Sequence, residues 1–351
     1  MIGTRGSRAT GKVRPARITD LAALGELSRL CQSAGAETRS LGLPVSGPAI
    51  GMFSLFRLPL GAFRPNDLLY VYEDGGRVAG LVRVERESPR DDWTIVELDA
   101  VGLENAGDVR FRLVQQVLRE GQRRGAARFH VACAEADGNV ELFMQAGFAR
   151  YGEEIVLYWP PGTAVETWTE ARASEAGIRA ARPIDATALM SLYQTATPLP
   201  VQRLEAFRIA DWERQGANWR VPRSSLAPIL RFADLEGFVL DSPAEARLDG
   251  FVQLGIARED QPHYLRVLVR PDVDAAPLID FALGVIASRT SKGGSDRKPD
   301  NGVIAPVRTY ESPVDRRLED AGFNGIARVT LLIKETLVRV AEPALVPAGV
   351  R

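Results

Sequence analysis

The sequence predicts an α+β protein built as two tandem domains of one fold, each a mostly antiparallel mixed sheet flanked by helices. Three observations carry this. The chain has 351 residues, the length of two domains of ordinary size. Its two halves repeat the same sequence blocks in the same order. Within each half, strand-like and helix-like apolar periods follow an order that needs one parallel strand pair among antiparallel neighbours.

The repeat begins where Val13 to Leu24 aligns without gaps on Ile178 to Leu189: Arg14, Ala16, Arg17, Asp20, Ala23 and Leu24 match Arg179, Ala181, Arg182, Asp185, Ala188 and Leu189. A second block is a hairpin, Leu69 to Arg83, turned by Asp74-Gly75-Gly76, against Gly237 to Leu254 with a longer turn around Ser242 to Arg247. Within it, Val78-Ala-Gly-Leu-Val82 matches Leu248-Asp-Gly-Phe-Val252. A third is Phe143-Met-Gln-Ala-Gly-Phe148 against Leu318-Glu-Asp-Ala-Gly-Phe323, and a fourth is the apolar strand after each, Ile155 to Trp159 and Val329 to Ile333. The period is one whole domain, too long for a solenoid repeat.

Each half opens on a short strand, Lys12 to Ala16 and Gly177 to Ala181, and Asp20 and Asp185 are placed as N-caps for the helices that follow. An antiparallel meander comes next: Leu68 to Tyr72, Val78 to Arg86 and Thr94 to Val101 in the first half, and Gly237 to Leu240, Leu248 to Ile256 and His263 to Val269 in the second. One buried helix face is spelled by Val109, Leu113, Val114, Val117 and Leu118, and another by Leu278, Ile279, Ala282, Val285 and Ile286. The strands Ala127 to Ala132 and Val303 to Val307 follow, then a short helix stopped by Gly147 or Gly322, then a strand expected to close its own half. The expected division is a flexible tail (1–12), a first domain (13–159), a linker (160–177), a second domain (178–340) and a second tail (341–351). Two stretches lack a period. Gln32 to Asp67 is either a substrate-covering segment or a plain surface loop, and Thr290 to Gly302 is expected to be a mobile surface loop.

Composition narrows the chemistry. Apolar residues make up 45% and charged residues 25%, values of a soluble globular protein. With 44 basic and 45 acidic residues, a nucleic-acid binder resting on basic excess is disfavoured. Only four of the 44 basic residues are lysine (Lys12, Lys292, Lys298 and Lys334), a skew that reads as genomic coding bias. Cys31 and Cys133 make no disulfide framework, which fits a cytoplasmic protein. His130 and His263 are the only histidines, too few for most zinc sites, and His130 and Cys133 read as a strand residue beside a small buried thiol. No apolar run reaches membrane-spanning length.

With Arg14-Pro-Ala at the start, Asp74-Gly-Gly-Arg-Val-Ala-Gly80 in the hairpin and Ala-Gly-Phe near each end, the order resembles the GNAT superfamily of acyl-CoA-dependent N-acyltransferases over nearly the whole chain. That resemblance implies acetyl-CoA or another acyl-CoA as co-substrate. It places pantetheine in a gap beside the fourth strand and pyrophosphate on the helix N-terminus after it. Carried onto this sequence, the cofactor-binding residues are Val101, Leu103, Asn105, Gly107 and Arg110 in the first half, and Val267, Val269 and Arg270 in the second. Both phosphate turns depart from the family's glycine-rich pattern. The first keeps Gly107 but carries Glu104 and Asp108; the second carries Asp272 and Asp274, has no glycine, and loses a donor at Pro277. Asp108 and Asp274 read equally as helix N-caps.

The resemblance also implies a carboxylate base on the fourth strand and a tyrosine acid before Gly-Phe. Alternation puts Glu97 and Asp99 on one face with Ile95 and Val101, and Glu97 is the candidate base; its plainer role is a solvated strand carboxylate. At the corresponding place the second half has Leu265, with Tyr264 and Arg266 beside it. Phe143 and Leu318 hold the tyrosine position, leaving Tyr151 and Tyr310 as substitutes. Two readings follow: an N-acyltransferase acting on a small-molecule amine, with the first half favoured for chemistry, or a non-catalytic or half-active tandem protein that binds a ligand or dimerises. A homodimer is left open, and no nucleic-acid or membrane partner is expected.

Overall fold

The computed structural model describes residues 11–33, 41, 67–87, 90–100, 106–134, 138–161, 168–216, 219–258, 261–291 and 301–336. The first half runs β1 (Lys12–Pro15), α1 (Leu21–Ser33), β2 (Asp67–Asp74), β3 (Arg77–Glu87), β4 (Asp92–Ala100), α2 (Ala106–Arg123), β5 (Arg128–Ala134), α3 (Asn139–Gln145) and β6 (Ala149–Trp159). The second runs α4 (Glu170–Glu175), β7 (Ile178–Ala180), α5 (Ala186–Ala196), α6 (Leu199–Glu205), α7 (Ile209–Glu213), β8 (Phe232–Asp241), β9 (Leu248–Ala257), β10 (His263–Val269), α8 (Ala276–Ser291), β11 (Val303–Arg308), α9 (Ser312–Asp320) and β12 (Asn324–Glu335). The fold is mixed α+β, as expected from the periods. Most of the stretch 32–67, and residues 292–300 of the second irregular stretch, lie outside the described residues. Among the described residues no helix is long and apolar enough to cross a membrane.

The matched arginines and aspartates of the first repeat block form a clamp. Asp20 accepts the Arg17 backbone N–H at 2.7 Å and both terminal nitrogens of Arg14 at 2.6 and 2.8 Å. Asp185 does the same with Arg182 and Arg179. These carboxylates therefore reach backward to the strand and do not cap the helix ahead, because a charge-assisted bidentate pair is the stronger partner. The Ala-Gly-Phe blocks are helix stops: Gly147 (φ +87°) and Gly322 (φ +96°) take the left-handed conformation. The following N–H then bonds back to Phe143 or Leu318.

Among the described residues the strands join one 12-stranded sheet in the order β1-β2-β3-β4-β5-β12-β6-β11-β10-β9-β8-β7. This changes one expectation, that each closing strand would complete its own half. Instead β12 pairs with β5 from Val329↔Ala134 to Glu335↔Arg128, and β6 pairs with β11 from Val303↔Trp159 to Arg308↔Glu154. The two closing strands then pair with each other. Period-two patterning specifies a strand's buried face but not which neighbour it adopts, so the exchange could not be read from the repeat.

The cores interlock accordingly. Trp93, Ile95, Leu98, Phe129 and the expected α2 face pack together with Ile229 of the second half. Leu157 and Trp159 of the first half sit in the core under α8. A further core, on the opposite face of the second half, holds Trp212, Trp219, Phe251 and Tyr264. Here Gly237 lets Trp219 lie against the sheet: a Cβ on it would come within 2.4 Å of the indole. Gly237→Val is expected to destabilise the fold by about 1–3 kcal/mol through overpacking, measured as a lower denaturant midpoint; an unchanged midpoint would show that Trp219 can move away at little cost.

Candidate functional site

Each half contains a parallel strand pair that separates. In the first, β4 and β5 pair from Asp92↔Arg128 to Ile95↔Val131 and no further, although both strands continue. In the second, β10 and β11 pair only at His263↔Val303 and Tyr264↔Ile304. Beyond these rungs the pairing between the two strands of each pair ends, and the strands part.

The two gaps differ at their closed ends. Against β3, β4 pairs Glu97 with Arg83 and Ile95 with Val84, so Val96 is an extra residue, a β-bulge where the strands part. The register of β10 on β9 is unbroken from Tyr264↔Gly255 to Val269↔Gly250. The bulge reverses the face expected for Glu97 and Asp99. Ile95 and Leu98 point into the core under α2, whereas Glu97 lies opposite with its partner Arg83, on the α1 side with Leu81. Strict alternation fails because one inserted residue shifts the phase.

Glu97 is partly exposed and accepts from Arg83 Nε at 2.9 Å; Arg83 also approaches Asp67 at 3.9 Å. Asp99 is buried on the same strand face. Gly107 is the second residue of α2, with open space where a side chain would be. Arg110 donates to Asn139 Oδ1 at 2.6 Å, tying α2 to the start of α3. The acidic Asp108 is offset by Arg112 at 3.0 Å, one turn on. Val101, Leu103 and Asn105 lie outside the described residues. Phe143 is fully buried, edge-on to Phe148. Cys133 is also in the core, on the face opposite His130.

In the second half the register places Arg266 opposite Gln253, as Glu97 is opposite Arg83. Arg266, and not Leu265, is therefore the residue at the Glu97 position: Gly80 pairs with Ala100 and Gly250 with Val269, so matching Val101 with Val269 along the sequence is one residue out. Arg266 is buried and donates to the Val267 carbonyl at 2.8 Å and to both Glu311 oxygens at 2.8 and 2.7 Å. The guanidinium thus takes a carbonyl of the separating strand and ties it across to the end of β11. Val267 and Val269 are core residues. Arg270 donates to the Leu248 carbonyl and to Thr195. Asp274 accepts the Ala276 N–H at 3.0 Å and pairs with Arg317, so the N-terminus of α8 carries its own anion.

Between the halves lies a buried charge cluster that the sequence reading missed. Arg223, from the segment between α7 and β8, donates to Glu87 at 2.6 and 2.9 Å and lies 3.4 Å from Asp92. Arg90 joins Asp92 to Asp211 of α7, and Asp211 also accepts the Arg208 N–H, a third use of the backward clamp. Arg308 bridges Glu154 and Glu205 at 3.4 and 3.0 Å, and Glu205 accepts from Tyr193 at 2.7 Å. His130 Nε2 is 3.7 Å from Asp92. The sequence trace of this cluster is a set of charged residues, about 120 to 150 residues apart in the pairs that join the halves.

Charge states follow from these contacts. Burial alone would raise Glu87 and Asp92, but Arg223 overcomes it at Glu87, and His130, Arg223 and Arg90 overcome it at Asp92, so both carboxylates sit below the ordinary range. Burial lowers His263 from its ordinary 6.5 to about 4, and its Nδ1 accepts the Ala257 N–H at 3.1 Å. For the carboxylates, stability is present above their unfolded values and lost as pH falls through the depressed native ones. For His263, whose neutral form is the folded one, stability is complete above 6.5 and is lost as pH falls towards 4. The unfolding midpoint is expected to fall over that window, and less steeply in His263→Gln; equal slopes would remove His263 as a cause.

No model of a known protein family matches the chain, and no curated protein matches its sequence. Its structure does have known counterparts. The chain has the GNAT acetyltransferase fold, in tandem. It is similar to a tandem GNAT protein from the clavulanic acid biosynthesis pathway, solved without acetyl-CoA, at 14% identity and TM-score 0.55, covering 93% of this chain and 98% of that one. A GCN5-related N-acetyltransferase from Sphaerobacter thermophilus matches at 16% identity and TM-score 0.54, covering 93% and 95%. An acetyltransferase-like protein from Pyrococcus horikoshii matches at 10% identity and TM-score 0.50, covering 96% and 94%.

Proposed function

We propose that the chain is an acyl-CoA-dependent N-acyltransferase whose first half holds the donor and whose second half is a closed, non-catalytic copy. The observation that supports this most is the contrast between the gaps. The first opens at a bulge, and the second is bridged by Arg266 and Glu311. The residues of the first half suit acetyl-CoA or another acyl-CoA. Pantetheine can enter beside β4 where its pairing with β5 ends, and Gly107, with open space where a side chain would be, lets a pyrophosphate approach the N-terminus of α2. Bound there, the thioester supplies an already activated acyl group. Glu97, across the bulge, takes a proton from the ammonium of a small-molecule amine, directly or through water, and Arg83 fixes its orientation. The cysteine content fits work in the cytoplasm.

Calorimetry with acetyl-CoA tests this. One binding site per chain is expected, weakened at least about tenfold by Gly107→Pro, which removes a first-turn N–H, and unchanged by Pro277→Arg. Glu97→Gln should bind normally while turnover over a panel of amines falls by about 10²-fold or more. Absence of heat at high acetyl-CoA would sink the proposal. Weakening by the second-half variant alone would move the site there.

A further inference from the structure

We propose that His130 is a proton shuttle of the first-half gap, taking the proton that the attacking amine nitrogen loses and returning it to the departing sulfur. This rests on the N-acyltransferase reading above.

Position comes first. His130 is paired with Thr94 one rung before β4 and β5 separate. Phe129, Val131 and Cys133 point into the core under α2, so His130 faces the other side, the side of Glu97. A ligand seated at the closed end of the gap meets Thr94 and His130 first on that side. Thr94 already donates to Glu87. His130 is 3% exposed; its Nε2 stands 3.7 Å from Asp92, beyond hydrogen-bond length, and its Nδ1 has no partner among the described residues. A buried imidazole nitrogen left unpaired costs about 1–3 kcal/mol. Such a group calls for a role that packing does not supply.

Its surroundings suit proton transfer. Asp92 on β4 lies 3.7 Å from Nε2; it favours the tautomer with the proton on Nε2 and stabilises the imidazolium when it forms. Glu87 at the end of β3 and Arg223 from the second half lie close to it, Arg90 and Arg128 pair with Asp92 itself, and the Tyr151 ring of β6 stands edge-on at 6.4 Å. Burial, then the Arg223 guanidinium, hold the resting imidazole neutral, with Nδ1 able to accept. Phe143, at the place of the tyrosine acid, has no proton to give.

The step balances. Glu97 first converts the ammonium to the free amine. As the nitrogen–carbon bond forms, His130 accepts a proton from that nitrogen. As the carbon–sulfur bond breaks, the imidazolium gives the proton to sulfur. The products are an amide, a free thiol, neutral His130 and a protonated Glu97, which gives its proton to solvent before the next turnover.

Because the chain has only two histidines, imidazole NMR of the full chain reads this directly, with His263→Gln assigning the signals. Saturation with acetyl-CoA, followed in parallel by calorimetry, is expected to shift the His130 ring resonances and leave those of His263 in place. His130→Gln is expected to bind acetyl-CoA within about twofold of wild type, to lose about 10²-fold or more in kcat, and to change the steepness of the acidic limb of its pH profile, where Glu97 alone then titrates. Heat without a shift at His130, or wild-type kcat and pH profile in His130→Gln, would overturn the proposal and leave the N-acyltransferase reading standing. No heat from the wild-type chain would overturn both. The NMR measurement needs no variant at position 130, so it decides even if His130→Gln fails to fold.

Discussion

Arg308→Met is expected to lower the stability of the whole chain by about 3–5 kcal/mol, among the largest effects of any single side-chain change. Arg308 is 2% exposed and bridges Glu154 on β6 to Glu205 on α6, while donating to the Arg223 carbonyl at 3.0 Å. Methionine fills similar space, so little cavity is made, but two buried carboxylates lose their cation. Among the described residues the Glu205 carboxylate keeps Tyr193, and Glu154 keeps the N–H and hydroxyl of Ser225. Leaving such charges uncompensated is what makes breaking a buried pair so much worse than never having built it. The measurement is denaturant unfolding, where the midpoint should drop at unchanged slope. Arg308→Met combined with Glu205→Gln should recover part of the loss, because the second change removes one stranded charge. Arg328→Met breaks an exposed pair with Glu153 and should move the midpoint little. If Arg308→Met were as mild as Arg328→Met, the cluster would be hydrated and not the joint between the halves.

How much of this was legible in the sequence depends on how far apart the interacting residues are. The helix face of Val109, Leu113, Val114, Val117 and Leu118 and the Gly147 and Gly322 stops follow from contacts within a few residues, and they stand where the periods place them. The strand exchange was illegible, because β5 would accept either closing strand on pattern alone. The faces of Glu97 and Asp99 were read in the wrong phase because a single inserted residue, Val96, has no mark in composition. The joint was hidden for a third reason. Arg223, Glu87 and Asp92, or Arg308, Glu154 and Glu205, are ordinary surface-type residues until the fold buries them together. The matched Arg14, Arg17 and Asp20 were recognised as repeat positions, yet their purpose as a clamp needed the geometry.

Thr330→Pro in β12 is expected to destabilise both halves together, and the wild-type chain is expected to unfold in one transition despite its two domains. Thr330 is buried and pairs with Cys133 on β5 and Glu153 on β6. Proline there removes an N–H from the centre of the sheet and strands a buried acceptor, at about 1–3 kcal/mol before any clash of the ring with the neighbouring strand. Because β12 covers the edge of β5, and β6 covers the edge of β11, neither half can open without uncovering the parallel pair of the other. Tryptophan fluorescence separates the two predictions of independence and coupling. Trp93 lies in the first core and Trp212 and Trp219 in the second, so chains keeping one reporter set, with the other tryptophans changed to phenylalanine, follow each half alone. Coupling by exchange requires coincident midpoints for the two reporters, and an equal fall in both with Thr330→Pro. Two separated midpoints, or a fall seen only at Trp93, would mean that each half holds its fold without the other's strand. The tandem arrangement would then be a tether and not a structural requirement. The distinction bears on function, because a closed second half that only occupied space could be deleted, whereas one that supplies β12 beside β5 helps hold one wall of the first-half gap.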